Sequence, residues 1–145
     1  MKKLILLLVL TFALSTVDAQ GQRGKFTPER FQAELEQYIT KKAGLTPKEA
    51  SQFFPVYSEM LSKQRAIHKD IKNLKRIKPV TDLECQKNIR KRDELDMKMK
   101  ELQKKYHEKF MQILPPKKVY DILKAEDRFH RQMFKRAADR RRKKR

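Results

Sequence analysis

Apolar side chains recur at heptad spacing through the middle of this chain, and such a repeat requires a packed helix. The stripe is interrupted by the polar Gln64 and consists of Ala50, Phe53, Tyr57, Met60, Ile67, Ile71 and Leu74. A helix with one apolar stripe buries it against other helices, as in a bundle or a coiled coil. Strands are disfavoured, because the chain has three glycines and no strand-length alternation of β-branched and polar residues. The single cysteine excludes an internal disulfide. We therefore predict an all-α fold held together by helix packing or oligomerisation.

Capping signals mark the first two of four predicted helices. Thr27 has the character of an N-cap, and Gly44 is typical of a C-cap. The apolar face between them is Phe31, Leu35, Tyr38 and Ile39. Thr46 and Glu49 then have capping-box spacing, and we expect this second helix to run to about Ile77.

Pro55 lies within the predicted second helix. A proline there removes one backbone donor and crowds the preceding turn. Because it falls opposite the apolar stripe, we expect the helix to bend toward its partner and not to break.

The second and third helices are predicted to form a long antiparallel hairpin. A turn at 78–80 precedes Thr81 and Glu84, which again have capping-box spacing, and Val80 and Cys85 are spaced as a hydrophobic staple. The apolar residues of the third helix are Leu83, Ile89, Leu95, Met99, Leu102, Tyr106, Phe110 and Ile113. Each of the two helices holds roughly 30 residues and would be about 45 Å long.

The fourth predicted helix starts near Pro116, after the third has stopped at Pro115. Its apolar residues are Val119, Ile122, Leu123, Phe129 and Met133. Residues 138–145 are dominated by Arg and Lys, and we predict a basic, disordered tail there. The predicted helical domain thus spans residues 27–137.

The N-terminus has the three parts of a secretory signal peptide. Lys2 and Lys3 precede an apolar run at 4–14, and small residues follow at 17–19. The run is shorter than the ~20 residues that a membrane-spanning helix needs. We predict cleavage after residue 19, a polar leader at 20–26 and a periplasmic location.

The strong positive charge of the chain points to binding. Its formal net charge is +19, and removal of residues 1–19 leaves +18. Positive charge attracts acidic or flexible chains, and the attraction weakens with salt. Nucleic acid is a rival acceptor, but export removes the protein from it and no base-reading motif is present. Phosphate loops, nucleophile elbows and paired metal-binding motifs are also missing from the sequence, so we predict a protein that is not an enzyme and needs no cofactor.

Candidate protein-binding residues lie beside or opposite the heptad seam and on the basic faces of the hairpin. They are Phe54, Leu61, Arg65, Lys69, Lys72, Arg76, Arg90, Met97 and Met111. Flexible thioethers suit surfaces that accept varied partners. The alternatives are packing against the first or fourth helix for the apolar members and ordinary solvated helix surface for the basic ones.

A metal site has less support from the sequence. His68, His107 and His130 are far apart along the chain, and Cys85 has no second cysteine to join it. A zinc site takes about four ligands, usually three or more from protein. Two chains of a dimer would have to pool their ligands, so we predict no metal site within one chain.

Two helix starts are similar to each other and to a family motif. Leu45 and Thr46 match the Leu-Thr-x-x-Gln motif of the Spy/CpxP family of periplasmic stress proteins, with Glu49 in place of Gln. A second copy keeps Leu114 but has proline in place of Thr and Lys118 in place of Gln. The segments 53–57 and 125–129 also resemble small exported proteins of this type in Bacteroidetes-like bacteria.

The resemblance implies a thin, curved, cradle-like antiparallel dimer. Members of the family act as ATP-independent chaperones, as repressors of envelope-stress signalling or as metal-responsive sensors. We therefore expect ATP-independent binding of unfolded or envelope proteins. The alternative is a periplasmic regulator or metal-responsive sensor that docks a membrane signalling protein. An anionic membrane surface is a further expected partner for the basic tail.

Overall fold

The computed structural model describes residues 27–143, and four helices account for most of them. The helices are α1 (Pro28–Ala43), α2 (Pro47–Leu74), α3 (Asp82–Ile113) and α4 (Pro116–Arg142). Strands are absent from this part of the chain, so the all-α prediction is confirmed. The predicted signal peptide and polar leader lie outside the described residues.

Helix α1 begins and ends at the residues that its capping signals indicate. The side chain of Thr27 accepts a hydrogen bond from the backbone N–H of Arg30 at 3.2 Å. Gly44 has a φ of 62°, a left-handed conformation that glycine adopts without steric cost, and its N–H bonds to the carbonyl of Thr40.

Both predicted capping boxes are present. The backbone N–H of Thr46 donates to Glu49 and the N–H of Glu49 donates to the Thr46 hydroxyl, at 2.9 and 3.2 Å. Thr81 and Glu84 repeat the arrangement at the start of α3. The predicted staple between Val80 and Cys85 is wrong, because Val80 is 89% exposed. No residue of α1 or α4 belongs to the neighbouring core cluster, so the turn is left uncovered.

Helix α2 is continuous through Pro55, which lies on its exposed side. It ends at Leu74, three residues before the predicted boundary at Ile77. The N–H groups of Arg76 and Ile77 bond to carbonyls three residues earlier, so the last turn tightens. The helix cannot continue past this turn, because Pro79 disfavours helical geometry at the residue before it.

Helix α4 continues to Arg142, so the prediction of a disordered tail from residue 138 is wrong for residues 138–142. Alanine, arginine and lysine have high helix propensity. The basic residues of the last turn, Arg140, Arg141 and Arg142, also interact favourably with the negative end of the helix dipole. None of the helices within residues 27–143 combines the length and apolar character needed to cross a membrane.

The four helices pack as two pairs. Helix α2 contacts mainly α3, helix α1 contacts mainly α4, and a smaller contact joins α3 to α4. All four helices contribute to one apolar core, which contains packed aromatic rings. The ring centroids of Phe53 and Phe110 are 4.8 Å apart, and the two ring planes are tilted by 58°. Side chains of this kind stabilise the folded state by roughly 2–3 kcal/mol each when they are fully buried.

A second, smaller core cluster belongs to α2 and α3 alone. Its buried members are Ile67, Leu95 and Met99. Beyond this cluster the α2–α3 pair is only two helices thick, and Leu83 and Ile89 on α3 are exposed. These two members of the apolar set of α3 therefore lie outside the core. Helix α1 has only 16 residues, and α4, although it has 27, contributes no side chain to this cluster.

Candidate functional site

A groove of about 730 Å³ lies between the α2–α3 pair and the α1–α4 pair. All four helices contribute side chains to it. Its apolar lining consists of Phe31, Leu35, Met60, Leu61, Met99 and Leu123. Because α1 is about 24 Å long and α2 about 42 Å, α1 covers only part of α2 and leaves this space open. The short length of α1 therefore contributes to the opening, and α4, although it has 27 residues, does not close it.

Polar and charged side chains also line the groove. Arg65 on α2 and Lys100 on α3 are exposed and place positive charge beside the apolar lining. Glu126 and Asp127 of α4 add negative charge on the opposite pair of helices. The groove can thus take an apolar segment and can pair with charges of either sign that flank it.

The three histidines of the chain all line this groove. His68 comes from α2, His107 from α3 and His130 from α4. Their sequence spacing gave no sign of this, because only the packing of different helices brings them to one surface. Within residues 27–143, no three His, Cys, Asp or Glu side chains form a group that could hold a metal ion.

A buried hydrogen bond links two helices beside the groove. The Tyr57 hydroxyl on α2 donates to Glu126 Oε1 on α4 at 2.8 Å, and His130 Nε2 lies 3.8 Å from the same oxygen. Burial of Tyr57, together with the neighbouring Glu126 carboxylate, raises the pKa of the phenol above its usual value. The phenol therefore stays protonated and serves as a donor that positions Glu126 on the groove wall.

The structure places two of the predicted binding residues, Leu61 and Arg65, in the groove. Phe54 is half-buried against the four-helix core. Met97 and Met111 are exposed, and neither lines this groove. The remaining predicted residues are exposed basic side chains on α2, α3 and the turn between them, and they do not line it either: Lys69, Lys72, Arg76 and Arg90. Met60 and Met99, which their heptad positions predicted as core, border the groove but are 2% and 9% exposed, so the prediction that they are core residues is confirmed.

The two motif-like helix starts lie side by side. Leu45 and Leu114 are both buried in the four-helix core. Lys118 Nζ donates to Glu49 Oε2 and, at 3.2 Å, to the carbonyl oxygen of Gly44. This hydrogen bond from Lys118, with a further one from the Thr46 backbone, holds the pKa of Glu49 below its usual value. These motif residues therefore join α2 to α4 at the end of the molecule away from the α2–α3 turn.

A second groove, of about 1020 Å³, lies between the start of α1 and the last turns of α4. Its lining includes Arg30, Phe31, Met133, Phe134 and Arg140. It also includes Thr27, where the described part of the chain begins. The groove shared by all four helices is the better candidate, because it is bounded by described residues on both helix pairs.

Comparison of the chain with protein-family models, with curated proteins and with solved structures finds no match. The fold and the groove define an all-α protein with an apolar groove that is flanked by charged side chains. The basis for a functional assignment is therefore the geometry of this groove together with the charge of the chain.

Proposed function

We propose that this chain is an exported, periplasmic protein that holds unfolded segments of envelope proteins in the four-helix groove without ATP. The observation that carries the proposal is the apolar lining of the groove with Arg65 and Lys100 beside it. The occupant is an extended polypeptide segment with apolar side chains and acidic neighbours. Such a function needs no chemical step and no cofactor.

The apolar lining suits clients of varied sequence. The partly exposed Phe31, Leu61 and Leu123 lie in it, and apolar contact is not directional, so it accepts segments of different sequence. A volume of about 730 Å³ lies within the range of ordinary ligand pockets, so several client side chains fit at once. Burial of client surface contributes roughly 25 cal/mol per Å², which supports reversible holding.

The charge of the chain supports the same function. A formal charge of +18 after removal of residues 1–19 raises the rate of encounter with acidic, unfolded chains. Arg65 and Lys100 then act at short range, where acidic residues that flank an apolar client segment can pair with them. Capture by charge is screened by salt, whereas apolar contact in the groove is not.

We also propose that the resemblance to the Spy/CpxP family reflects a shared architecture. This architecture is a long antiparallel hairpin of α2 and α3, a curved cradle-like shape and a homodimer. The adjacent placement of the two motif-like helix starts, joined by Glu49 and Lys118, supports it. The exposed position of Pro55 inside α2 supports the expected curvature.

The proposal is tested by dilution of a chemically unfolded protein, such as reduced α-lactalbumin, into buffer without ATP. Light scattering reports aggregation in the presence of residues 20–145, which contain all four helices. The Arg65→Glu/Lys100→Glu variant reverses the two positive charges beside the groove. The matched control is Lys69→Glu/Lys104→Glu, which makes the same change in net charge on the same two helices but outside the groove.

We expect the unaltered chain to suppress scattering at an equimolar ratio, the groove variant to lose most of this effect and the control variant to keep it. Equal loss in both variants would show that net charge alone captures the client, and the groove assignment would be wrong. No suppression at several-fold excess would contradict the holding function and would favour a regulator or sensor that docks a membrane signalling protein.

A further inference from the structure

Four apolar side chains are exposed together at the end of the α2–α3 pair. Ile77, Val80, Leu83 and Ile89 are 58%, 89%, 59% and 62% exposed. They lie within thirteen residues on both sides of the turn that joins the helices. Because α1 and α4 contribute nothing to the nearest core cluster, no other part of the described chain covers these side chains.

Basic side chains surround this apolar end. Between residues 75 and 92 the chain has seven basic and two acidic residues, and one of the acids, Glu84, is engaged by the backbone of the turn. Lys91 and Arg92 pair with acidic side chains one turn further along α3. The other five form no ion pair with any residue of the described segment: Lys75, Arg76, Lys78, Lys87 and Arg90. The end of the pair therefore combines exposed apolar surface with unpaired positive charge.

We propose that this end of the molecule, residues 74–92, docks onto the surface of an anionic lipid membrane. Ile77 and Val80 enter the headgroup region, and the lysines of the turn contact lipid phosphates. Basic side chains with long apolar stems allow this arrangement, because the stems follow the inserted residues while the charged groups stay at the surface. Attraction by an anionic leaflet strengthens binding about fivefold for each nearby lysine or arginine.

The shape of this end favours a membrane over a protein partner. Val80 projects almost fully into solvent from the turn between two helices, and neither groove includes a residue from 74–92. A stable protein interface buries about 800 Å² on each partner, whereas this apolar end consists of four side chains. The proposal is independent of the client-holding function and uses different residues.

A tryptophan scan of two positions tests the membrane proposal directly, because the chain contains no tryptophan. The Val80→Trp variant of residues 20–145 reports on the turn, and its matched control is Phe134→Trp, at an exposed apolar position among the basic residues of α4. Each variant is mixed with vesicles of phosphatidylcholine alone or of phosphatidylcholine with phosphatidylglycerol. A tryptophan-free unfolded protein, such as reduced and carboxymethylated ribonuclease A, serves as the protein probe in a parallel arm.

We expect the emission of the Val80→Trp variant to shift to the blue only with the anionic vesicles and to be quenched by brominated lipid. In vesicle sedimentation, Ile77→Ser/Val80→Ser should lower the partition coefficient by about tenfold. Lys75→Gln and Lys78→Gln should each lower it by about fivefold. The circular dichroism spectra of these variants should match that of the unaltered chain, since the four substituted side chains are exposed.

Three results would overturn the proposal. The first is the absence of binding to anionic vesicles at low salt. The second is a blue shift for Phe134→Trp with none for Val80→Trp, which would assign membrane contact to the basic end of α4. The third is a Val80→Trp shift with the tryptophan-free unfolded protein but not with vesicles, which would make residues 74–92 a protein-binding surface.

Discussion

Lys118 donates a hydrogen bond from its ammonium group to the carboxylate of Glu49 and so joins the first turn of α4 to the capping box of α2. The two residues are 69 positions apart, and both side chains are about one quarter exposed. They occupy equivalent positions in the two motif-like helix starts. The Glu49 carboxylate therefore both caps α2 and joins it to α4, since it accepts one hydrogen bond from the backbone N–H of Thr46 and another from Lys118.

Glu49→Gln should lower the free energy of unfolding at neutral pH. The variant should also lose less of this free energy than the unaltered chain when the pH falls. The pKa of Glu49 is held below the ordinary value of about 4.5, first by the Lys118 hydrogen bond and then by that of the Thr46 backbone. The folded state thus favours the ionised carboxylate of Glu49. The contribution of this carboxylate to stability is complete above the unfolded-state pKa and is lost as the pH falls through the lower folded-state pKa. Urea unfolding of both proteins at pH 7 and pH 3 should show their difference shrinking in acid. A constant difference would contradict this account.

Tyr57→Phe should lower the free energy of unfolding by about 1 kcal/mol or slightly more. The substitution keeps the buried ring but removes the donor to Glu126, whose side chain is mostly buried. The control is Tyr120→Phe on α4, where the ring is exposed. Urea titrations of the two variants measure the effect, and equal losses would show that the Tyr57 hydroxyl has no specific role.

Gly44→Ala should cost about 1 kcal/mol through the backbone alone. The residue has a φ of 62°, in the left-handed region that side chains disfavour. An added Cβ would meet no atom within 4 Å, so steric overlap does not contribute. Thermal or urea unfolding checks the value. A loss above about 3 kcal/mol would imply that the added methyl group disturbs the packing between α1 and α4.

Pro55→Ala should stabilise the fold by about 2 kcal/mol. A helix-interior proline is unfavourable by about 3 kcal/mol relative to alanine, and the added freedom of the unfolded chain offsets up to about 1 kcal/mol of the gain. Because Pro55 is exposed, its replacement leaves no cavity. Urea unfolding gives the stability, and a light-scattering assay with reduced α-lactalbumin shows whether replacement of Pro55 changes the holding of clients. Destabilisation would contradict this account of the proline.

Most of the secondary structure was predictable, because its signals are local. Thr46 and Glu49 specify a helix start through hydrogen bonds that span three residues, and Gly44 ends a helix through its own backbone freedom. The errors arose where local signals compete. Helix α2 ended at Leu74, the last residue of its apolar stripe, and not at Ile77, and the helix propensity of the basic C-terminus extended α4 beyond Ala138.

The candidate groove was only partly predictable. Leu61 and Arg65 stood out because they lie beside the heptad stripe of α2. Met60 and Met99 were predicted as core and are buried, whereas nothing in the spacing of His68 related it to α3 or α4.

Local capping, heptad spacing and composition were thus sufficient to specify four helices, their approximate limits and a strongly basic surface. Tertiary packing decided which helices pair, that Glu49 meets Lys118, and that one groove collects residues from all four helices. It also decided that Val80 and its apolar neighbours are left uncovered. The physical reason is that a heptad stripe specifies that a helix must be buried but not by which partner or over what length. Those outcomes depend on the relative lengths and docking of whole helices, and α1 is too short to cover the far half of α2.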